Sequence, residues 1–449
     1  MRALLLTAAI FGLLPLVFVQ PQVGVLLFYW ISLMNPHRLV WGSSYSFQYA
    51  LIVALTTMAA WIFSRERKAI PLTTSTILLG LLWLWMSLTT LAALSPAAAY
   101  IKWELTSKIV LMTFVTIPIM QSRVRLHALV WIIAASLGYY GVKGGGFAIL
   151  TGGFYRVVGP SDSFIADNNA IALALDMVLP LMWYLRLNSR SALIRHGLAA
   201  AIILTVLAVV ATYSRGGLLG LAVILAAVLV RSRHRIALAL GIMVVSVGTL
   251  SFLPDQWYDR MRSIASYDED ASAQGRLTMW KMAVEIARDR PVLGGGFKVF
   301  TDPTVYPRYN PTTDVIRDVH SIYFETLGEH GIVGLVLFLG LGGATIWQLA
   351  SIRRQTKPHR ELRWAFDMAS MLFVSLVGYA VAGAFLTLAT FDLFYLLIGV
   401  TVVLRQTVQA TLKELSLSAD SARTLPIAAG SGSNPTPNSR SRLSANVGS

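Results

Sequence analysis

Long apolar runs alternate with short polar gaps along the 449-residue chain. A membrane-spanning helix needs about 20 mostly apolar residues, because each residue advances the helix by roughly 1.5 Å. Runs near that length lie at 47–63, 71–94, 107–121, 125–141, 168–186, 197–214, 216–230, 236–253, 321–350, 366–387 and 391–407. Residues 1–34 form another apolar block, broken at Gln20, Pro21 and Gln22. This block has no small-x-small cleavage site and more apolar sequence follows it, so it reads as a retained membrane segment. The pattern predicts an all-α polytopic membrane protein.

The polar gaps are basic: SRERK (64–68), QSRVR (121–125), RLNSRSALIRH (186–196), RSRHR (231–235) and RRQTKPHRELR (353–363). Basic loops stay in the cytoplasm, and successive gaps are separated by pairs of spans, so all of them fall on one side. The alternation predicts about 12 crossings with a cytoplasmic N-terminus and one crossing within the first block. Three stretches then face outward: a glycine-rich loop at 142–167, the turn at 212–217 and the long segment 254–320. The expected organisation is transmembrane helices over 1–253, a large outer loop over 254–320, further spans over 321–413 and a disordered cytoplasmic tail over 414–449. The tail is too poor in large apolar residues to bury a core.

Within the large loop one helix is legible over 275–290. Leu277, Trp280, Val284 and Ala287 recur at helical spacing and predict its apolar face. Lys281, Glu285 and Arg288 fall on another face, and Pro291 with the Gly294–Gly296 triplet ends the helix.

Composition agrees with the pattern. The chain is 55% hydrophobic and only 13% charged, about half the charge of ordinary soluble domains. Its net charge of +15 does not indicate nucleic acid, because the basic residues sit in the gaps and carry topology. The chain has no cysteine, which removes disulfides and thiolate metal sites.

Candidate chemistry gathers on the outward side. Arg215 lies in YSRGG (213–217) between two spans, and its planar guanidinium suits phosphate oxygens. An arginine at a helix end can also simply snorkel. Arg276, Lys281, Arg288 and Arg290 add positive charge in the large loop, where nearby acids almost balance it. His320 can accept a proton from a hydroxyl near neutral pH, or it can be an interfacial ring without a partner. Arg156, Asp162, Asp167, Asn168 and Asn169 precede a span, where Asp and Asn cap helices and could also hold sugar hydroxyls. A metal is not expected, since the acidic run Asp268, Glu269 and Asp270 reads as a solvated turn before it reads as a cation site. Neither a Walker A loop nor a dinucleotide fingerprint is present.

The ordered set GRLTMWKMAVEIARDRPVLGGGF (275–297) and VHSIYFETLGEHGIVG (319–334) resembles the signature region of the O-antigen ligase and polymerase superfamily. Arg276, Trp280, Pro291, Gly294, Gly296, His320, Glu329, Gly331 and Gly334 match its order and spacing. YSRGG and ADNNAIALAL (166–175) fit its upstream elements. LLFYWISLMNPHRLVWG (26–42) is similar to the branch of O-glycosylation ligases associated with exosortase systems.

The resemblance implies a GT-C type glycosyltransferase in a bacterial inner membrane, with its active site and large loop in the periplasm. The donor would be a glycan on undecaprenyl pyrophosphate. The acceptor would be a lipid A–core sugar hydroxyl, a protein hydroxyl or a growing glycan. The family uses neither a metal nor another cofactor. His320 would serve the acceptor hydroxyl and Arg215 the leaving pyrophosphate, with Arg276, Arg288, Arg156, Asn168 and Asn169 as further contacts to pyrophosphate and glycan. A transporter is the main non-enzyme rival. It predicts charged residues in mid-span and two similar halves, and Asp176 and Asp392 are the few acids near spans.

Overall fold

A computed structural model of the chain describes residues 1–231, 235–262, 271–309 and 316–424. It is helical, with no strand among the described residues. The helices of the N-terminal part are α1 (Arg2–Val19), α2 (Pro21–Met34), α3 (Tyr49–Phe63), α4 (Thr74–Leu91), α5 (Pro96–Ile119) and α6 (Arg123–Leu150). They continue with α7 (Asn168–Asn188), α8 (Ala192–Ala211), α9 (Arg215–Arg231) and α10 (Arg235–Leu250). Three lie in the large loop: α11 (Asp255–Arg262), α12 (Ala271–Asp289) and α13 (Tyr306–Tyr309). The chain then closes with α14 (Ile322–Thr356), α15 (Arg363–Gly383) and α16 (Asp392–Thr424).

Eight described helices are long and apolar enough to cross a membrane, or up to nine if the bent α10–α11 pair is one span. This makes the chain a multi-pass membrane protein. The expected count of about 12 rested on shorter runs as well. Of these, α2, α3 and Arg215–Val230 are apolar but of 10–17 residues. Helix α5 has 24 residues but carries Lys102, Glu104 and Lys108. The first block is two helices rather than one kinked span. Pro21, which has no N–H, starts α2 at the break, and α1 and α2 pack on each other.

Helix α7 lies at the centre, 83% buried over its apolar window, and packs against α6, α8, α9 and α15. Asp167 caps it, with its Oδ1 accepting from the Asn169 and Ala170 N–H groups. Helix α6 runs on to Leu150, well into the predicted outer loop. Gly141, Gly144 and Gly145 are interfacial rather than turn residues: a Cβ on Gly145 would clash with the Leu204 carbonyl oxygen. Backbones pressed this closely are typical of membrane helix pairs, here α6 and α8.

Helix α12 runs over Ala271–Asp289 where a helix over 275–290 is expected, and its buried stripe is rotated. Met279, Met282, Ala283 and Ile286 form a core with Val299, Phe300, Val305, Tyr306 and Val319, whereas of the predicted face Ala287 is buried and Leu277, Trp280 and Val284 are only partly so. The partner surface comes from Val299, Phe300, Val305, Tyr306 and Val319, which the helix's own periodicity cannot reveal. The turn after α12 clamps α14. Gly295 and Gly296 donate to the carbonyls of Gly328 and Glu329, and Ile332 donates to Pro291. Gly331 breaks α14 there with φ 68° and ψ −170°, a region essentially reserved for glycine. A Cβ on it would clash with the Val292 carbonyl oxygen. Gly331→Ala should therefore cost at least about 2 kcal/mol and lower the melting temperature in detergent. Gly342→Ala, on the same helix with nothing within 4 Å, should not.

Residues 409–449 form a separate unit. Where described it is helical to Thr424, so the expected tail does not begin at 414. The rest of that tail lies outside the described residues, as does the Asp268–Asp270 run.

Candidate active site

Arg215 opens α9, and the turn before it is held from several sides. Asn168 Nδ2 donates to the Thr212 carbonyl at 2.8 Å. Ser214 Oγ donates to Asn169 Oδ1 at 2.8 Å and accepts from the Gly217 N–H at 3.1 Å. Tyr213, at φ 60°, donates its hydroxyl to the Gly153 carbonyl at 2.7 Å. The Arg156 guanidinium lies over the Tyr213 ring, 5.6 Å from its centroid. Asn168 and Asn169 thus spend these amide groups on the arginine's turn. These bonds tie both side chains to the turn that carries Arg215.

A second segment approaches from the α15–α16 connection. Gly216 lies where a Cβ would meet Phe385 Cβ at 3.1 Å. The Arg276 guanidinium lies 6.0 Å from the centroid of the same Phe385 ring. Two residues on, Thr387 Oγ1 accepts the His320 N–H at 2.8 Å. That bond holds His320 at φ 47°, in the left-handed region. Burial is the main force on the imidazole and lowers its pKa below the ordinary 6.5. The charges of Arg276 and Arg317 push the same way, against Asp318 and Asp167. The ring is therefore neutral at physiological pH and can accept a proton.

The fold thus gathers Arg156, Asn168, Asn169, Arg215, Arg276 and His320 at one end of the bundle. Arg288 is not among them. It lies on the exposed face of α12, paired with Glu285 at 2.6 Å. Twelve residues of helix separate it from Arg276, on the order of 18 Å along the axis. Among the described residues no group of three or more His, Asp or Glu could hold a metal ion.

Sequence reasoning missed a buried ionic cluster behind this site. Lys102 Nζ donates to Glu325 Oε1 at 2.7 Å and to both Glu329 oxygens at 2.9 Å. Glu329 Oε1 also accepts the Lys298 N–H, and Glu325 Oε2 accepts the Ala389 N–H, each at 2.8 Å. Beside it His330 Nδ1 shares a hydrogen bond with Thr89 Oγ1 at 2.7 Å. The available signal was the i, i+4 pair of glutamates at the head of an apolar run, together with a lysine in another helix.

Comparison with known families now bears on this arrangement. Residues 198–339 match the O-antigen ligase family. This match supports the O-antigen ligase and polymerase superfamily for that part of the chain. Residues 1–190 match a family of unknown function (DUF5935). A search of curated proteins finds no match. The O-antigen ligase domain carries Arg215, Arg276 and His320. Arg156, Asn168, Asn169 and Lys102 come from the N-terminal region, so the site is built across both.

Proposed function

We propose that this protein is an O-antigen ligase, a GT-C type glycosyltransferase of the bacterial inner membrane. It transfers a glycan from undecaprenyl pyrophosphate to a sugar hydroxyl of lipid A–core at the periplasmic face. The observation that carries the reading is that the segment Phe385–Thr387 meets Gly216 beside Arg215, the Arg276 guanidinium and the backbone of His320, whose imidazole is neutral.

The acceptor oxygen attacks the anomeric carbon, and its proton passes to the His320 imidazole. The bond from that carbon to the pyrophosphate oxygen breaks, leaving undecaprenyl pyrophosphate with the electron pair. Negative charge grows on the leaving group, where Arg215 and Arg276 supply preorganised donors. A single displacement inverts the anomeric centre. Arg156 and the two asparagines keep the Arg215 turn in place.

The test is transfer by the purified protein from an undecaprenyl-pyrophosphate glycan to lipid A–core, in the presence of EDTA. Wild type should transfer, and Arg215→Lys should be slower by about 10²-fold, because an ammonium keeps the charge but loses the fork. Full activity of Arg215→Lys would remove the arginine from the mechanism. Loss of wild-type transfer in EDTA would assign the leaving group to a divalent cation. Glycan extension without lipid A–core transfer would make the protein an O-antigen polymerase. Transfer to serine or threonine would make it a protein O-oligosaccharyltransferase.

A further inference from the structure

We propose that the cleft between α2, α3 and α5 is a second binding site, built for an anionic, phosphate-bearing lipid. The cleft has a volume of about 390 Å³, within the range of small-molecule sites. Its interior is apolar, with Phe28 from α2, Leu51 and Ala54 from α3 and Ile109 from α5. Its polar lining includes His37, Arg38, Lys108, Asp162 and Ser163, with Ser32 and Asn35 beside them. A charged lining over an apolar interior fits a molecule with one polar end and one hydrocarbon end.

The polar groups specify the charge of that end. Arg38 Nε is buried and has no hydrogen-bond partner, as is His37 Nδ1. A buried donor left without an acceptor is costly, and such groups in native proteins are normally satisfied. Arg38 Nη1 reaches Asp162 only at 3.9 Å. The same Asp162 oxygen accepts the Tyr45 hydroxyl at 2.7 Å. The Arg38 guanidinium is stacked 4.6 Å from the Tyr45 ring centroid, which fixes its plane. Lys108 pairs with Glu104 one turn back at 2.6 Å, and Glu104 lies outside the lining. Lys108 is thus already met by a carboxylate, and the donor left unmet is Arg38 Nε, with Asp162 only loosely opposite its guanidinium. Phosphate oxygens match a fixed guanidinium fork with a lysine beside it. His37 adds a hydrogen-bonding nitrogen without charge, since burial and the neighbouring Arg38 lower its pKa to about 4.

The site is distinct from the Arg215–His320 cluster but shares a loop with it. Residues 151–167 border the cleft through Asp162 and Ser163 and the active-site end through Asp167. Binding is measured without transfer, so the inference stands apart from the ligase reading. The phosphate has two sources: an anionic bilayer phospholipid, or the phosphorylated sugar of lipid A.

The experiment is native mass spectrometry of the full chain in detergent, titrated with phosphatidylglycerol, lipid A or phosphatidylcholine. One tightly bound anionic lipid is expected. Arg38→Gln and Lys108→Gln should each weaken it by about 10-fold, the value of one charge-assisted contact. Ala50→Trp, which fills the cleft and leaves the charges in place, should remove the bound lipid. Phosphatidylglycerol bound as well as lipid A identifies a bilayer lipid as occupant, and preference for lipid A identifies a phosphorylated acceptor. Equal binding of phosphatidylcholine would overturn the proposal. So would wild-type affinity in all three variants, with melting temperatures showing that they are folded.

Discussion

His320→Asn is expected to lower glycan transfer by about 10²- to 10⁴-fold, the usual contribution of a positioned general base, while leaving the fold intact. Asparagine is the informative replacement because of the backbone. His320 sits at φ 47°, and Asn accepts the left-handed region better than most residues. Alanine would add backbone strain to the loss of the ring and confuse the two. The His320 N–H bond to Thr387 survives either change, since it uses the main chain. Thermal melts of wild type and variant should coincide, and the loss should fall in kcat rather than KM.

The pH profile gives a second readout. Burial first, and then Arg276 and Arg317, lower the His320 pKa below 6.5. The active form is the neutral imidazole. Activity should therefore be flat through neutral pH and fall as pH drops through the depressed pKa, so the acid limb lies below 6.5. His320→Asn should lack that limb. A limb of the same position in the variant would assign it to another group and return His320 to a structural role.

The parts of this molecule that can be read from sequence are those fixed by local chemistry. Helix α7 was predicted over 168–186 and spans Asn168–Asn188, because an Asp cap and a continuous apolar run both speak for it. Pro291 and the glycines after it end α12 near the predicted place. Arg215, Arg276 and His320 were picked out as residues that could bind phosphate or move a proton, and the fold brings them together. What sequence could not supply is pairing between distant segments. The glycines late in α6 looked like a loop until α8 was placed against them. The buried stripe of α12 is set by Val299, Phe300, Val305, Tyr306 and Val319, and its predicted face is therefore turned. Arg288 carries the same charge as Arg276, and only the length of the helix between them separates their positions. Residues 1–34 are predicted to cross once, and a proline divides them into two packed helices of which only α1 is long enough to span. Lys102 meets Glu325 across 223 positions of chain, a distance over which no periodicity operates.

That last contact carries the largest expected effect on stability. Lys102→Met should destabilise the protein by about 3–5 kcal/mol, the cost of removing one partner from a buried ion pair. The side chains of Glu325 and Glu329 are 1% and 4% exposed, so neither carboxylate can turn to water when the ammonium is lost. The damage should also reach the active site. Glu325 Oε2 accepts the Ala389 N–H, and Thr387 in the same connection holds His320. A variant that keeps hydrogen-bonding shape without charge separates these effects. Lys102→Met combined with Glu325→Gln and Glu329→Gln removes all three charges. Replacing a buried ionic group by neutral groups of similar volume is often close to neutral. The triple variant should therefore recover most of the melting temperature lost by Lys102→Met alone. It should regain transfer only as far as the amide introduced by Glu325→Gln restores an acceptor for the Ala389 N–H. If Lys102→Met melts like wild type, the glutamates do not depend on the lysine, and the cluster does not hold α5 against α14 through charge.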